Sequence, residues 1–95
     1  MHIREFQKMM RDLYFHRDSE RGLTGTYLLL TEEIDELREA LEQKEKVAIE
    51  KEFADVLAWL ASLANIAEID LERAALEKYP HKCPKCKNAP CNCTF

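Results

Sequence analysis

Leu30-Thr31-Glu32-Glu33-Ile34-Asp35-Glu36-Leu37-Arg38-Glu39-Ala40-Leu41, with its later echo Glu52-Phe53-Ala54-Asp55-Val56, decides the fold of this chain. Leu30, Ile34, Leu37 and Leu41 recur at the spacing of one helix face, and so do Ile49, Phe53, Val56, Leu60, Leu63 and Ala67. Within these helices Glu33 pairs with Glu36 and Glu52 with Asp55 at i, i+3, one turn apart on the same side. Two such helices packed together gather four carboxylates around one point. Like charges at that distance repel unless cations lie between them, and hard divalent cations such as Mg²⁺ prefer oxygen ligands.

Helical geometry selects these acids from the surrounding ones. With Leu30 at zero and a turn of about 100° per residue, Glu33 falls at about −60° and Glu36 at about −120°. Both flank the apolar stripe, whereas Glu32, Asp35 and Glu39 fall on the solvent side. In the next helix Glu52 and Asp55 also flank the stripe, with Trp59 between them in angle. The rival reading is a solvated acidic face supported by pairs such as Asp35 with Arg38.

Working outward, Ile3, Phe6, Met10, Leu13 and Tyr14 predict a first helix over residues 2 to about 16. The charged run Arg17-Asp18-Ser19-Glu20-Arg21-Gly22 predicts a loop, with Thr24 or Thr26 capping a second helix that runs to about residue 43. Lys44-Glu45-Lys46 reads as a tight turn or helical junction before a third helix over about 46–67. Asp70 is placed to cap a short fourth helix, Leu71 to Lys78, which Pro80 ends.

Composition agrees with an all-α chain. Two glycines and three prolines in 95 residues, with 34% charged residues, leave few strand or turn signals. The apolar fraction of 46% suffices for a core, but a chain this small buries only part of its surface. Leu28, Leu29 and Trp59 lack evident partners in a monomer, so oligomerisation is expected. A net charge of −4 counts against a nucleic-acid-binding surface and increases the need for cations beside an anionic ligand. No apolar run reaches transmembrane length, and Met1-His2-Ile3-Arg4-Glu5-Phe6 lacks the apolar core of a signal peptide, so no membrane contact and a cytoplasmic location are expected.

The four cysteines, Cys83, Cys86, Cys91 and Cys93, are confined to the tail. Cys83-Pro84-Lys85-Cys86 resembles a zinc knuckle, and a structural Zn²⁺ held by all four thiolates is the favoured reading. His81 is a substitute ligand; two disulfides or free thiols are the alternatives. Lys82, Lys85 and Lys87 also allow a nucleic-acid-binding tail, against the overall charge.

At the acidic motifs the chain resembles the MazG-like nucleoside triphosphate pyrophosphohydrolases. The family pattern, Glu-Glu-x-x-Glu followed by Glu-x-x-Asp, is matched by Glu32-Glu33-Ile34-Asp35-Glu36 and, fifteen residues on, Glu52-Phe53-Ala54-Asp55. Val56-Leu57-Ala58-Trp59-Leu60 is also similar to the family. The resemblance covers roughly residues 3 to 80 and implies a helical bundle that assembles as a homodimer or homotetramer, so residues 1–80 are expected to form a four-helix domain of this kind and 81–95 a separate Cys-rich tail. It implies hydrolysis of nucleoside triphosphates to monophosphate and pyrophosphate, in nucleotide-pool house-cleaning, with Mg²⁺ as cofactor and Mn²⁺ as a substitute.

The implied metal ligands are Glu33, Glu36, Glu52 and Asp55, with Glu33 or Glu36 as general base and Glu32 beside them. By analogy, Phe15, His16 and Trp59 contact the base; Trp59 also reads as a core or interface residue. The chain departs from relatives at Ala75-Leu76-Glu77-Lys78, where some carry an Asn and a basic residue on the phosphates. Lys78 can supply the cation, or serve only the dipole at its helix end; Ala75 cannot replace the amide. The alternative function is a non-catalytic helical protein-interaction module with a zinc-binding tail.

Overall fold

The computed structural model describes residues 1–94; Phe95, the last residue of the expected tail, lies outside them. The chain is all-helical in its ordered elements: α1 (Ile3–Gln43), α2 (Lys46–Ile66) and α3 (Leu71–Lys78). Three helical elements are therefore distinguished among the described residues, not the expected four, and the first joins two helical segments across a kink at Gly22. The expected loop over Arg17–Gly22 is helical as far as Arg21, and Thr24 and Thr26 cap nothing. Only Gly22, at φ 80° and ψ 178°, departs from helical geometry within α1. Phe15 and His16, expected at a helix end, thus sit inside the helical segment that runs on to the kink at Gly22.

Local chemistry explains the extension. Asp18 is buried and its carboxylate accepts from Arg21 Nη1 at 2.7 Å, an i, i+3 pair that helical spacing brings together. The backbone at Gly22 lies in a region that only glycine enters easily. A Cβ there would meet no atom within 4 Å, so the cost of a side chain comes from the backbone alone. Gly22→Ala is expected to destabilise the protein by about 1–3 kcal/mol, read from urea denaturation. An unchanged midpoint would refute the strained geometry.

Lys44 closes α1 in the left-handed region at φ 58°, its N–H reaching Ala40 O at 3.1 Å and Leu41 O at 3.2 Å. Glu45 then caps α2, its carboxylate accepting from Val47 N at 3.3 Å and Ala48 N at 2.7 Å. So short a connection makes α1 and α2 antiparallel neighbours. Their pairing runs from Glu33 with Glu52, through Arg21 with Trp59, to Gln7 with Asn65.

At the far end a buried amide clamp replaces apolar packing. Gln7 Nε2 donates to Asn65 Oδ1 at 3.1 Å and to Ile69 O at 2.7 Å, and Asn65 Nδ2 donates to Gln7 O at 3.1 Å. Gln7 Oε1 accepts from Leu71 N at 3.0 Å, which fixes the start of α3. Asp70 caps α3 as expected, accepting from Arg73 N at 3.1 Å, and also takes Arg4 Nε at 2.9 Å. These bonds hold the Asp70 carboxyl below its ordinary range, the Arg73 amide first.

The buried stripe of the second half of α1 differs from the one read in the sequence. Thr26, Leu30 and Ala40 are buried and Glu33 and Leu37 half-buried, while Ile34 and Leu41 are exposed. The seam with α2 thus runs along Thr26, Leu30, Glu33, Leu37 and Ala40, and it carries an acid at its centre. Leu23, Tyr27, Ile34 and Leu41 on α1, and Phe53, Leu57 and Leu60 on α2, form exposed apolar flanks. In an antiparallel pair both flanks fall on the same face of the hairpin. No helix among the described residues is long and apolar enough to cross a membrane.

Candidate functional site

Glu33 on α1 and Glu52 on α2 face each other across the seam, and Glu36 lies one turn beyond Glu33. One carboxylate oxygen from each of these three acids lies within 4.8 Å of the others. Glu33 Oε2 and Glu52 Oε2 are buried without a hydrogen-bond partner. A buried acceptor without a donor is costly, and two of them facing each other are more so. Burial first, then the carboxyls of Glu36, Asp55 and Glu52, push the Glu33 carboxyl from an ordinary 4.5 up to about 7.

A divalent cation satisfies this donor set. It offers charge to orphaned oxygens, and an all-carboxylate shell suits Mg²⁺ or Mn²⁺ better than softer ions. Asp55 is exposed and stands outside the tight group of three, yet close enough to repel Glu33. Glu32 is exposed on α1.

Beside the acids lies a cavity of about 310 Å³. One wall is the α1 face Met10, Tyr14, Arg17, Asp18 and Arg21; the other is Asp55, Ala58, Trp59 and Ser62 on α2. Asp55 therefore belongs to both the rim of the cavity and the surroundings of Glu33. Arg21 places its guanidinium 4.9 Å from the centre of the Trp59 ring. It also bonds Asp18 Oδ1, while Asp18 Oδ2 is buried without a partner. The cleft thus combines an aromatic face, two guanidinium groups and an unpaired acceptor, leading to a cluster of acids.

The other candidate ligand contacts lie apart. Phe15 is half-buried with the Arg11 guanidinium 3.9 Å above its ring, and His16 is exposed on α1. Lys78 ends α3, exposed, its ammonium 5.9 Å from the Tyr79 ring. None of the three lines the cavity that Trp59 lines. Sequence reasoning missed Arg17, Asp18 and Arg21. Their signal was present: Met10, Tyr14, Arg17 and Arg21 share one helix face once the helix is carried past residue 16.

In the tail, Cys83, Cys86, Cys91 and Cys93 bring their sulfurs within 4.8 Å of one another.

A search of curated protein sequences finds no match to the chain. The family model for the MazG nucleotide pyrophosphohydrolase domain matches residues 21–87, well over half of the 95 residues. That span contains both acidic motifs, the α1–α2 hairpin that joins them and the whole of α3. The chain belongs to the MazG nucleotide pyrophosphohydrolase domain family.

Proposed function

We propose that this protein hydrolyses nucleoside triphosphates to the nucleoside monophosphate and pyrophosphate, with Mg²⁺ or Mn²⁺, in clearance of the nucleotide pool. The observation that carries the reading is the convergence of Glu33, Glu36 and Glu52, with two orphaned oxygens, near Asp55, which also lines the cleft. In this reading those three acids and Asp55 hold the metal. When bound, divalent ions neutralise the polyphosphate, polarise the α-phosphoryl group and lower the pKa of a bound water.

The chain's own residues then have separable tasks. Arg17 and Arg21 face the cleft and offer charge to phosphate oxygens, and the Trp59 ring offers a stacking surface to a base. The carboxylate of Glu33 or Glu36 takes the proton of the attacking water. Water oxygen bonds to the α-phosphorus, the bond from that phosphorus to the bridging oxygen breaks, and pyrophosphate leaves.

The exposed apolar flanks support a homodimer or homotetramer. Phe53 and Tyr27 are more than half exposed, at 56% and 54%, an expensive arrangement in water for large side chains grouped on one face. A second copy covering that face leaves the cleft on the opposite flank accessible.

The test is a pyrophosphate-release assay across standard and modified nucleoside triphosphates, with Mg²⁺ and with Mn²⁺. Release of pyrophosphate and not inorganic phosphate from at least one substrate is expected. Glu52→Gln and Asp55→Asn are expected to abolish it with helix content unchanged. No pyrophosphate from the whole panel would leave the helical interaction module as the better reading.

A further inference from the structure

We propose that the tail of this protein is a structural zinc site, with Cys83, Cys86, Cys91 and Cys93 as its four ligands. The inference is independent of the reaction proposed for the helices.

The geometry of the sulfurs carries it. A Zn²⁺ ion bound tetrahedrally at about 2.3 Å from each sulfur sets its ligands about 3.8 Å apart. Cys83 Sγ and Cys93 Sγ lie 3.7 Å apart, and Cys86 Sγ and Cys91 Sγ lie 3.9 Å apart. All four fall within 4.8 Å of one another, so they surround a common centre instead of forming two separated pairs. The distances are far beyond the roughly 2.05 Å of a disulfide bond.

One backbone amide is directed at a tail sulfur. Cys93 N donates to Cys91 Sγ at 3.3 Å. N–H groups directed at a sulfur stabilise the charged, metal-binding form.

The remainder of the segment gives a reason for the metal. Residues 81–94 contain no helix and no strand, and most of their side chains are exposed. Their internal bonds are few: Cys83 N to Asn88 O at 3.0 Å, Lys87 N to Cys83 O at 2.8 Å, and the Asn88 amide to Cys86 O at 2.9 Å and Asn92 Oδ1 at 3.2 Å. So little burial cannot offset the entropy of ordering such a chain, whereas a bound Zn²⁺ can. Four thiolates fill the tetrahedral shell and leave no position for water, so the ion is structural. His81 is exposed and outside the group of four, so it is not a ligand.

Full-length protein purified under reducing conditions from zinc-supplemented cells is expected to contain one zinc per chain by elemental analysis. Replacement by Co²⁺ is expected to give the visible absorption of a tetrahedral thiolate complex. Cys83→Ser and Cys91→Ser should each lose the metal and the Co²⁺ spectrum, while His81→Ala retains both. Stripping zinc with a chelator should leave the helical circular dichroism intact and abolish exchange protection of the Cys83 and Lys87 amides. Reduced protein without zinc that gains none on titration with Zn²⁺ alone would overturn the proposal. So would iron as the bound metal, or full zinc retention in both serine variants.

Discussion

Glu33→Gln is expected to lower pyrophosphate release by more than about 100-fold and, in metal-free protein above neutral pH, to raise thermal stability. The two effects have one cause. Glu33 sits in the α1–α2 seam with a buried, unpartnered oxygen, facing other carboxylates, so the fold without metal opposes its charge. Its carboxyl is pushed from 4.5 up to about 7 by burial first and then by its acidic neighbours. A carboxyl that holds its proton more tightly when folded contributes stability below its unfolded pKa, and that contribution is lost as pH rises through the folded value. Wild-type protein in chelator should therefore lose stability relative to Glu33→Gln as pH rises from 4.5 to about 7. Mg²⁺ should restore it, and more strongly at pH above about 7 than at lower pH, because the metal competes with the proton. Denaturation curves at several pH values, with chelator and with Mg²⁺, measure all of this. A variant less stable than wild type in chelator at alkaline pH would contradict the electrostatic account; a variant with normal turnover would remove Glu33 from the site.

Arg21→Ala is expected to destabilise the protein by about 3 kcal/mol and to weaken nucleotide binding. Asp18 has a side chain only 2% exposed, and Arg21 is its one charged partner, at 2.7 Å. Removing the guanidinium leaves a buried carboxylate with both oxygens unpaired, since Oδ2 already lacks a partner. It also uncovers the Trp59 ring, over which Arg21 lies at 4.9 Å. Much of the loss belongs to the stranded charge, so adding Asp18→Ala to Arg21→Ala should recover stability. Binding of a non-hydrolysable triphosphate should not recover in that double variant, because the cation is still missing. Additive stability losses would show that the pair is not the cause.

Helix bounds were read more accurately than helix faces. The bounds of α2 were legible from its apolar period, although Phe53, Leu60 and Ala67 of that stripe are exposed, and α3 was legible from Asp70 as cap and Pro80 as stop. The charged run over residues 17–21 misled, because the inward face of α1 there lines a cleft and not a core, whereas Gly22 does mark a break in the helix. Asp18 and Arg21 occupy positions where a period search seeks leucines. The stripe Leu30, Ile34, Leu37 and Leu41 misled for the opposite reason. It mixes the true seam with an exposed apolar flank, and hydropathy alone cannot distinguish a face that packs within the chain from one that does not. Thr26 and Glu33, both in the seam, are invisible to such a search. The acidic cluster survived these errors because the i, i+3 spacing of Glu33 with Glu36 depends only on local helicity. Asp55 fits less tightly, being exposed at the cleft rim.

Gly22 also sets the rotational phase of α1. Before it, Gln7, Met10 and Asp18 are the buried positions; after it, Thr26, Leu30 and Ala40 are. On an uninterrupted helix of about 100° per residue, the centres of these two sets would lie roughly a third of a turn apart. They could not both face α2. One residue with non-helical dihedrals resets the phase, so the cleft wall and the acids meet the same partner helix. The glycine is thus the point at which the cleft-lining and acid-bearing halves of α1 are brought into alignment. Rewinding it would cost more than local strain, because Glu33 would turn away from Glu52.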